Sequence, residues 1–280
     1  VKGIKIMKNP LKYVGGKFYL KKWIIANFPE SKDWLCYVEP FGGAGHVIFE
    51  KGRRKEEVEV YNDINQNMIN LFKVLQNEVL FNKLIRYLEL TPYSREYFYE
   101  LRDDKYEIPE ENENLRKAYK YMVMMKMSFS GNAENCKPSW CYSKKNIKNN
   151  LLPLAFSNFP QYLYDLVLRL KEIQIESLDF RKVIEKYDSP ETLFYLDPPY
   201  WQCESYYQGK FSKQDHYDLS AMLNNIQGKF ALSYYYFDEL NELYPTNKFR
   251  YVEKEGVKCS QRSKEGELKQ KSTELLIMNY

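Results

Sequence analysis

The chain has 280 residues, 44 % of them hydrophobic, which is enough to bury a substantial core as one large α/β domain bearing an inserted subdomain. Its formal net charge of +4 neither demands nor excludes nucleic acid, since a balanced total can hide a basic cleft. Five scattered cysteines exclude a disulfide framework and suggest a reducing compartment, and with only His46 and His216, and with Cys136 and Cys141 lacking a second cysteine pair, no metal is expected.

Val1 to Pro10 shows no signal-peptide pattern and no apolar run is long enough to cross a bilayer, so a cytoplasmic location is expected. Leu11-Lys12-Tyr13-Val14-Gly15-Gly16-Lys17 then precedes a helix-like stretch from Phe18 to Phe28. Gly15-Gly16 makes a turn that puts Lys17 where a helix begins. The helix dipole favours anions there, so a ligand carboxylate, such as that of a methionine moiety, explains this lysine better than helix stability does. A solvated lysine is the plainer alternative.

A strand near Leu35–Glu39 runs into Pro40-Phe41-Gly42-Gly43-Ala44-Gly45, followed by a helix start at Ala44 to Glu50. Glycines in such a loop let the backbone approach a ligand. The next strand, Val58–Asn62, ends in Asp63, twenty residues beyond Gly43, where nucleotide-binding α/β folds meet a ribose. Aligned on Gly43 and Gly45, the third glycine of the dinucleotide fingerprint is replaced by Ile48. A pyrophosphate on the helix N-terminus is therefore poorly supported, which favours a cofactor without phosphates, S-adenosylmethionine being the obvious one.

From Leu80 to about Lys171 the pattern changes to helices and loops, the candidate inserted domain, giving expected boundaries of 1–79, 80–171 and 172–280. The helix Asn114–Met127 carries Leu115, Tyr119, Met122, Val123 and Met127 at helical spacing, a core stripe. Ser128 to Asn150 has no such period: Lys137, Lys144, Lys145 and Lys148 suit phosphates, while Asn132, Asn135 and Trp140 suit bases. A solvated loop is the alternative there. Arg95 and Arg102 in the helix-like Ser94–Asp103, and Lys258, Arg262 and Lys264, are further cationic candidates, each interleaved with glutamates.

Strands near Ile173–Leu178, Leu193–Leu196, Phe230–Tyr234, Phe249–Glu253 and Glu274–Asn279 complete an α/β sheet of mainly parallel strands. No helix separates the last two, so antiparallel pairing is expected. Directly after Leu193–Leu196 stands Asp197-Pro198-Pro199-Tyr200. An exocyclic base amine is a poor nucleophile because its lone pair is delocalised into the ring. A carboxylate (Asp197) and a backbone carbonyl (Pro198) that take its two N–H groups localise that pair and offset positive charge as it develops. Proline, without an N–H and with fixed φ, holds the carbonyl still. Tyr200 offers the base a flat face. The bland alternative is a strand end with a Pro-Pro turn and a packed tyrosine. The following loop, Trp201 to Phe211 with Tyr206 and Tyr207, suits a lid or simple surface packing.

Taken together, Leu11 to Lys17, Tyr37 to Gly45, Tyr61 to Asn65, Ser177 to Phe180, Asp197 to Tyr200 and Ser272 to Tyr280 resemble the Dam-type, alpha-group DNA adenine-N6 methyltransferases over nearly the whole chain. The resemblance implies a Rossmann-like methyltransferase sheet with an antiparallel C-terminal strand and an inserted, mainly helical target-recognition domain. It implies a flipped adenine methylated at N6 from S-adenosylmethionine, which leaves S-adenosylhomocysteine, without a metal. Cofactor contacts are implied from Tyr13, Lys17, Glu39, Phe41, Gly43, Asp63 and Asp197, with Asp179 and Phe180 as the adenine-pocket pair. Asp197, Pro198 and Tyr200 would do the chemistry, and Arg95, Asn132, Lys137, Trp140, Lys144 and Lys145 would meet DNA. The recognition region lacks the arginine-rich hairpin of a GATC-specific member, so no recognition sequence is assigned. Duplex DNA is the implied partner, with a cognate restriction endonuclease as a candidate second one. A monomer is expected, with a dimer on DNA as the alternative, in a prokaryotic or phage setting. Cytosine-N4 methylation, a structured-RNA adenine methyltransferase, a nicotinamide oxidoreductase and a silent DNA-binding relative are the rival readings.

Overall fold

The computed structural model describes residues 9–12, 15–129, 138–143, 151–204, 211–257 and 271–280. Seven strands form one sheet: β1 Cys36–Glu39, β2 Val58–Asn62, β3 Gln174–Glu176, β4 Thr192–Leu196, β5 Lys229–Tyr234, β6 Arg250–Val257 and β7 Lys271–Met278. Their order is β3-β2-β1-β4-β5-β7-β6. β1 pairs in parallel with β2 and β4, β2 with β3, and β4 with β5; β7 pairs antiparallel with both β5 and β6. This is the expected mostly parallel sheet with antiparallel C-terminal strands. β4 is buried along its whole length, as its unbroken Thr-Leu-Phe-Tyr-Leu run requires of a central parallel strand covered on both faces.

The chain order reverses between β1 and β4, where an open α/β sheet leaves a crevice beyond the C-terminal strand ends. Helices α1 Lys21–Ala26, α2 His46–Lys51, α9 Phe180–Tyr187, α10 Lys213–Asn225 and α11 Leu240–Leu243 accompany the sheet. Val38, Phe194, Leu196, Phe230 and Leu232 pack with Val183 and Ile184 of α9, Leu219 and Leu223 of α10, and Leu275 and Ile277 of β7. The sheet unit comprises Lys17–Ile64 and Ile173–Tyr280.

A helical unit contains Asn65–Glu172 together with the described residues up to Gly16. Its helices are α3 Gln66–Gln76, α4 Glu78–Leu90, α5 Arg95–Arg102, α6 Glu113–Met127, α7 Leu152–Asn158 and α8 Tyr162–Leu170. α6 is central, packing against α3, α4 and α5. Its expected stripe is buried, and so are Ala118, Tyr121, Met124 and Met125, because neighbours cover this helix on several sides. The unit begins at Asn65, earlier than the break at 79/80 read from the sequence, since α3 packs on α6 and α8.

Two local expectations change. The helix expected from Phe18 starts only at Lys21, after a turn in which the Leu20 and Lys21 N–H groups both donate to the Lys17 carbonyl at 3.0 and 2.8 Å. Lys17 is therefore not a helix N-terminal residue. β7 begins at Lys271 and pairs with β6 out to Val257, which makes this hairpin longer than the apolar patterns alone indicate.

Candidate active site

The loop after β1 is fixed from beneath. Asn62, the last residue of β2, donates to the Pro40 carbonyl at 2.8 Å and the Leu178 carbonyl at 3.0 Å, and accepts the Leu178 N–H at 2.8 Å. One amide thus ties the segments that leave β1, β2 and β3. Asp63 Oδ2 accepts the Gly43 N–H at 2.6 Å, and the Tyr61 hydroxyl donates to the Gly43 carbonyl at 2.6 Å. A Cβ on Gly42 would stand 2.2 Å from the Tyr61 ring, and one on Gly45, whose φ is +64°, would stand 2.5 Å from Phe49. Packing on those rings, together with the positive φ at Gly45, requires glycine at these two positions.

Pro40, Phe41, Asn62, Asp63, Ile64, Leu178, Asp179, Phe180, Pro199, Phe211 and Asp215 line a cleft with about 480 Å³ of empty space, part of it open to solvent. The rings of Phe41, Phe180 and Phe211 meet one another at centroid distances of 5.4–5.8 Å, giving an apolar wall beside the carboxylates of Asp63 and Asp179. Flat apolar surface with nearby acceptors for hydroxyl and amino groups is the chemistry an adenosine needs, so the residues present fit S-adenosylmethionine. Arg181 braces this wall. It lies over the Phe180 ring at 4.3 Å, bonds Asp179 at 3.1 Å and Asp218 at 2.6 Å, and pairs with Asp215. Asp179 also caps α9 by accepting the Arg181 N–H at 2.9 Å.

A second cluster stands where the chain leaves β4. Lys17, only 6 % exposed, sets its ammonium 2.8 Å from Asp197 Oδ1 and 3.4 Å from Glu274 Oε1. The Tyr200 hydroxyl donates to Glu274, and Lys17 Nζ lies 4.7 Å from the centre of the Tyr200 ring. Burial raises the Asp197 carboxyl to about 6 although Lys17 works against the shift, and Glu274 adds to it. Burial and the neighbouring carboxylates hold the Tyr200 hydroxyl well above its ordinary range, so it remains a donor. Its ring is 7 % exposed, stacked on Tyr234 at 5.5 Å and edge-on to Tyr235 at 4.6 Å. It is a fixed wall with little open face for a base.

Phe41, Asp63, Asp179 and Phe180 thus share the cleft, Gly43 is held by Asp63, and Lys17, Asp197 and Tyr200 form the second cluster, with Pro199 lining the cleft. Glu39 does not line the cleft. It is buried, accepts the Tyr37 hydroxyl at 2.7 Å, and burial pushes it up to about 8. In the helical unit, Arg95 lies over the rings of Trp140 and Tyr142 at 4.5 and 5.1 Å. Arg102 is paired with Asp103 at 2.7 Å. Tyr13, Asn132, Asn135, Lys137, Lys144, Lys145, Lys148, Tyr206, Tyr207, Lys258, Arg262 and Lys264 lie outside the described residues. Sequence reasoning missed Asn62, Arg181 and Glu274 as site residues. For Glu274 the available signal was a lone acid opening an apolar strand.

Among the described residues no helix is long and apolar enough to cross a membrane, and no group of three His, Cys, Asp or Glu side chains is placed to hold a metal ion. The family described as D12 class N6 adenine-specific DNA methyltransferase matches residues 13–258. The type II methyltransferase M.MjaIII of Methanocaldococcus jannaschii is 28 % identical over 300 residues, covering 98 % of this chain and 99 % of that protein. A DNA adenine methylase of Haemophilus influenzae is 38 % identical over 76 residues, 27 % of this chain and 25 % of that protein. The modification methylase StsI of Streptococcus sanguinis is 25 % identical over 248 residues, 82 % of this chain and 35 % of that protein.

Proposed function

The chain belongs to the D12 class of N6 adenine-specific DNA methyltransferases, and from that premise we propose that Asp197, Pro198 and Tyr200 form the methyl-transfer centre, beside a cofactor cleft of Phe41, Asp63, Asp179 and Phe180. It is an enzyme that methylates adenine in DNA, and its family implies S-adenosylmethionine as donor and extrusion of the target base. When bound, S-adenosylmethionine supplies a methyl group already activated by its sulfonium, so the reading needs no metal. The observation that carries the reading is the partly buried Asp197 carboxylate beside the buried Lys17 at the end of β4, next to the phenylalanine-walled cleft.

Extruding the adenine costs a few kcal/mol, because its amine lies inside a stacked duplex. Asp197 then accepts one N–H of the amine and the Pro198 carbonyl the other, which frees the nitrogen lone pair. Asp197 is also the acceptor for the proton that N6 releases on methylation. Tyr200 limits where the base can sit. Asp63 holds the loop through Gly43, and its carboxylate would accept from the ribose hydroxyls of a bound cofactor. Arg95 and Trp140 contribute to DNA recognition, joined by Asn132, Lys137, Lys144 and Lys145. The type II and modification methylases among the relatives favour a partnered restriction endonuclease. The chain is read as a monomer, with a dimer on DNA as the alternative, in the cytoplasm of a prokaryotic or phage-encoded setting.

The test follows a labelled methyl group into duplex DNA and identifies the modified nucleoside after digestion. N6-methyladenine is expected, and N4-methylcytosine would overturn the adenine specificity. Asp197→Ala should lower single-turnover methylation at saturating cofactor by about 100-fold or more while DNA still binds. A wild-type rate in that variant would remove Asp197 from the centre.

A further inference from the structure

Glu274 is a lone acid at the start of an apolar run, yet it is buried, with 3 % exposure. Strand direction explains how it reaches the site. β7 runs antiparallel to β5 with Leu275 opposite Tyr234, the last residue of β5, so Glu274 projects past the C-terminal end of that parallel strand. The Asp197 segment leaves β4 on the same side of the sheet. There Glu274 accepts the Tyr200 hydroxyl and shares Lys17 with Asp197, at 3.4 and 2.8 Å from the ammonium. A carboxylate so buried persists only when paired and hydrogen-bonded, and both conditions are met.

Charge is what makes its place consequential. A lysine and an aspartate alone would close into a neutral pair and leave Asp197 a weakened acceptor. With a second carboxylate on the same lysine, the three ionised side chains carry a net charge of about −1. An amine that turns positive as it is methylated is stabilised by that excess. We infer that Glu274 is a positioning residue for methyl transfer: by sharing Lys17 and fixing the Tyr200 hydroxyl it leaves the ionised Asp197 carboxylate a stronger acceptor for the amine. The inference rests on the reading of Asp197 as acceptor of that amine. Facing Asp197 are Lys17, Tyr195 on β4, Tyr200, Tyr235 after β5, Glu39 at the end of β1, and Glu274 itself. Of these, Glu39 keeps its proton up to about 8, and Glu274 is the carboxylate joined to Asp197 through the lysine.

Glu274→Gln keeps the volume and an acceptor for Tyr200 but removes the charge. Single-turnover methylation at saturating S-adenosylmethionine and duplex should fall by about ten-fold, with both dissociation constants within about three-fold of wild type. The acid limb of the rate should move to lower pH, because a like charge beside Asp197 has gone. A wild-type rate, or a reduced rate with an unmoved limb, overturns the role. Should E274Q lose its cooperative thermal transition, Glu274→Asp decides. Its shorter carboxylate withdraws from Tyr200 and Lys17, so a reduced plateau supports the role and a wild-type plateau overturns it. Asp197→Asn in the same assay separates the two readings. If D197N retains the wild-type rate, the acceptor role of Asp197 fails. An inactive D197N beside a wild-type-like E274Q sinks only the role of Glu274.

Discussion

Asp63 divides its work: one carboxylate oxygen holds the Gly43 N–H at 2.6 Å, while the side chain also lines the cleft. Replacing it by alanine both loosens the loop and removes the acceptor proposed for the ribose. Asp63→Ala should weaken S-adenosylmethionine binding by about 1–3 kcal/mol, the scale of charge-assisted hydrogen bonds, in calorimetric titration. Unchanged affinity would take Asp63 out of the site. Asp197 gives a pH dependence of definite sign. Burial raises its carboxyl from 3.8 to about 6, and the chemistry requires the ionised form, so the single-turnover rate should climb with pH and level off above about 6. Glu39 acts on stability instead. Its folded value, raised by burial from 4.5 to about 8, lies above that of the unfolded chain, so the folded form holds its proton over that interval. Stability from this group is complete below pH 4.5 and is lost as pH rises toward 8. Glu39→Gln, which keeps an acceptor for Tyr37, should flatten the fall of the urea midpoint across that window. An unaltered slope would show that Glu39 does not govern it.

At the scale of elements, the site depends on what happens just past the strand ends. β1, β2, β4 and β5 were legible as apolar runs, and the acids following β2 and β4 were legible because a carboxylate directly after a buried strand stands at the edge where ligands bind. Glu274 was not legible in the same way. Ahead of an apolar run an acid reads as solvent-facing, and only the insertion of β7 between β5 and β6, with its direction reversed, brings Glu274 to the C-terminal ends of the parallel strands. Arg181 escaped notice for a related reason. Its partners Asp215 and Asp218 belong to α10, more than thirty residues further on, and no local pattern announces the meeting. Because Arg181 joins the first turns of α9 and α10 behind Phe180, Arg181→Gln should raise the S-adenosylmethionine dissociation constant several-fold. It should change the rate at saturating cofactor little, the split expected when binding geometry and not chemistry is disturbed. A lower saturated rate at unchanged affinity would contradict that role. The same argument covers the loop after β1: Gly42→Ala drives a Cβ into the Tyr61 ring, and overpacking of this kind costs about 1–3 kcal/mol of stability, measurable by urea denaturation.

For the molecule as a whole, the sheet half of the chain was far more legible than the helical half. Parallel strands announce themselves through unbroken apolar runs and fixed loop chemistry. The helical unit is built from helices whose polar faces look alike whether they meet DNA or water, which is why the buried stripe of α6 could be read as core while the base contacts proposed for this unit rest on residue type alone. The structure adds one distinctive arrangement there: Trp140 and Tyr142 are stacked at 5.8 Å with 12° between planes, with Arg95 over both rings. Tyr142 is more than half exposed, so the stack presents an aromatic and cationic surface to solvent. Such a surface can grip unstacked bases, whereas lysines in a loop grip phosphates irrespective of sequence. The two should part under mutation. Lys144→Ala with Lys145→Ala ought to weaken binding to every duplex alike and reduce the salt dependence by up to about two phosphate contacts. Trp140→Ala should instead alter which sequences are methylated, with the salt dependence retained. Sequencing of methylated DNA from cells expressing each variant, alongside binding titrations at several salt concentrations, reads both effects. If the lysine pair changes specificity, or if Trp140→Ala lowers affinity for all duplexes equally, the assignment is reversed; if neither variant touches DNA binding, this stretch is a solvated loop and recognition lies elsewhere.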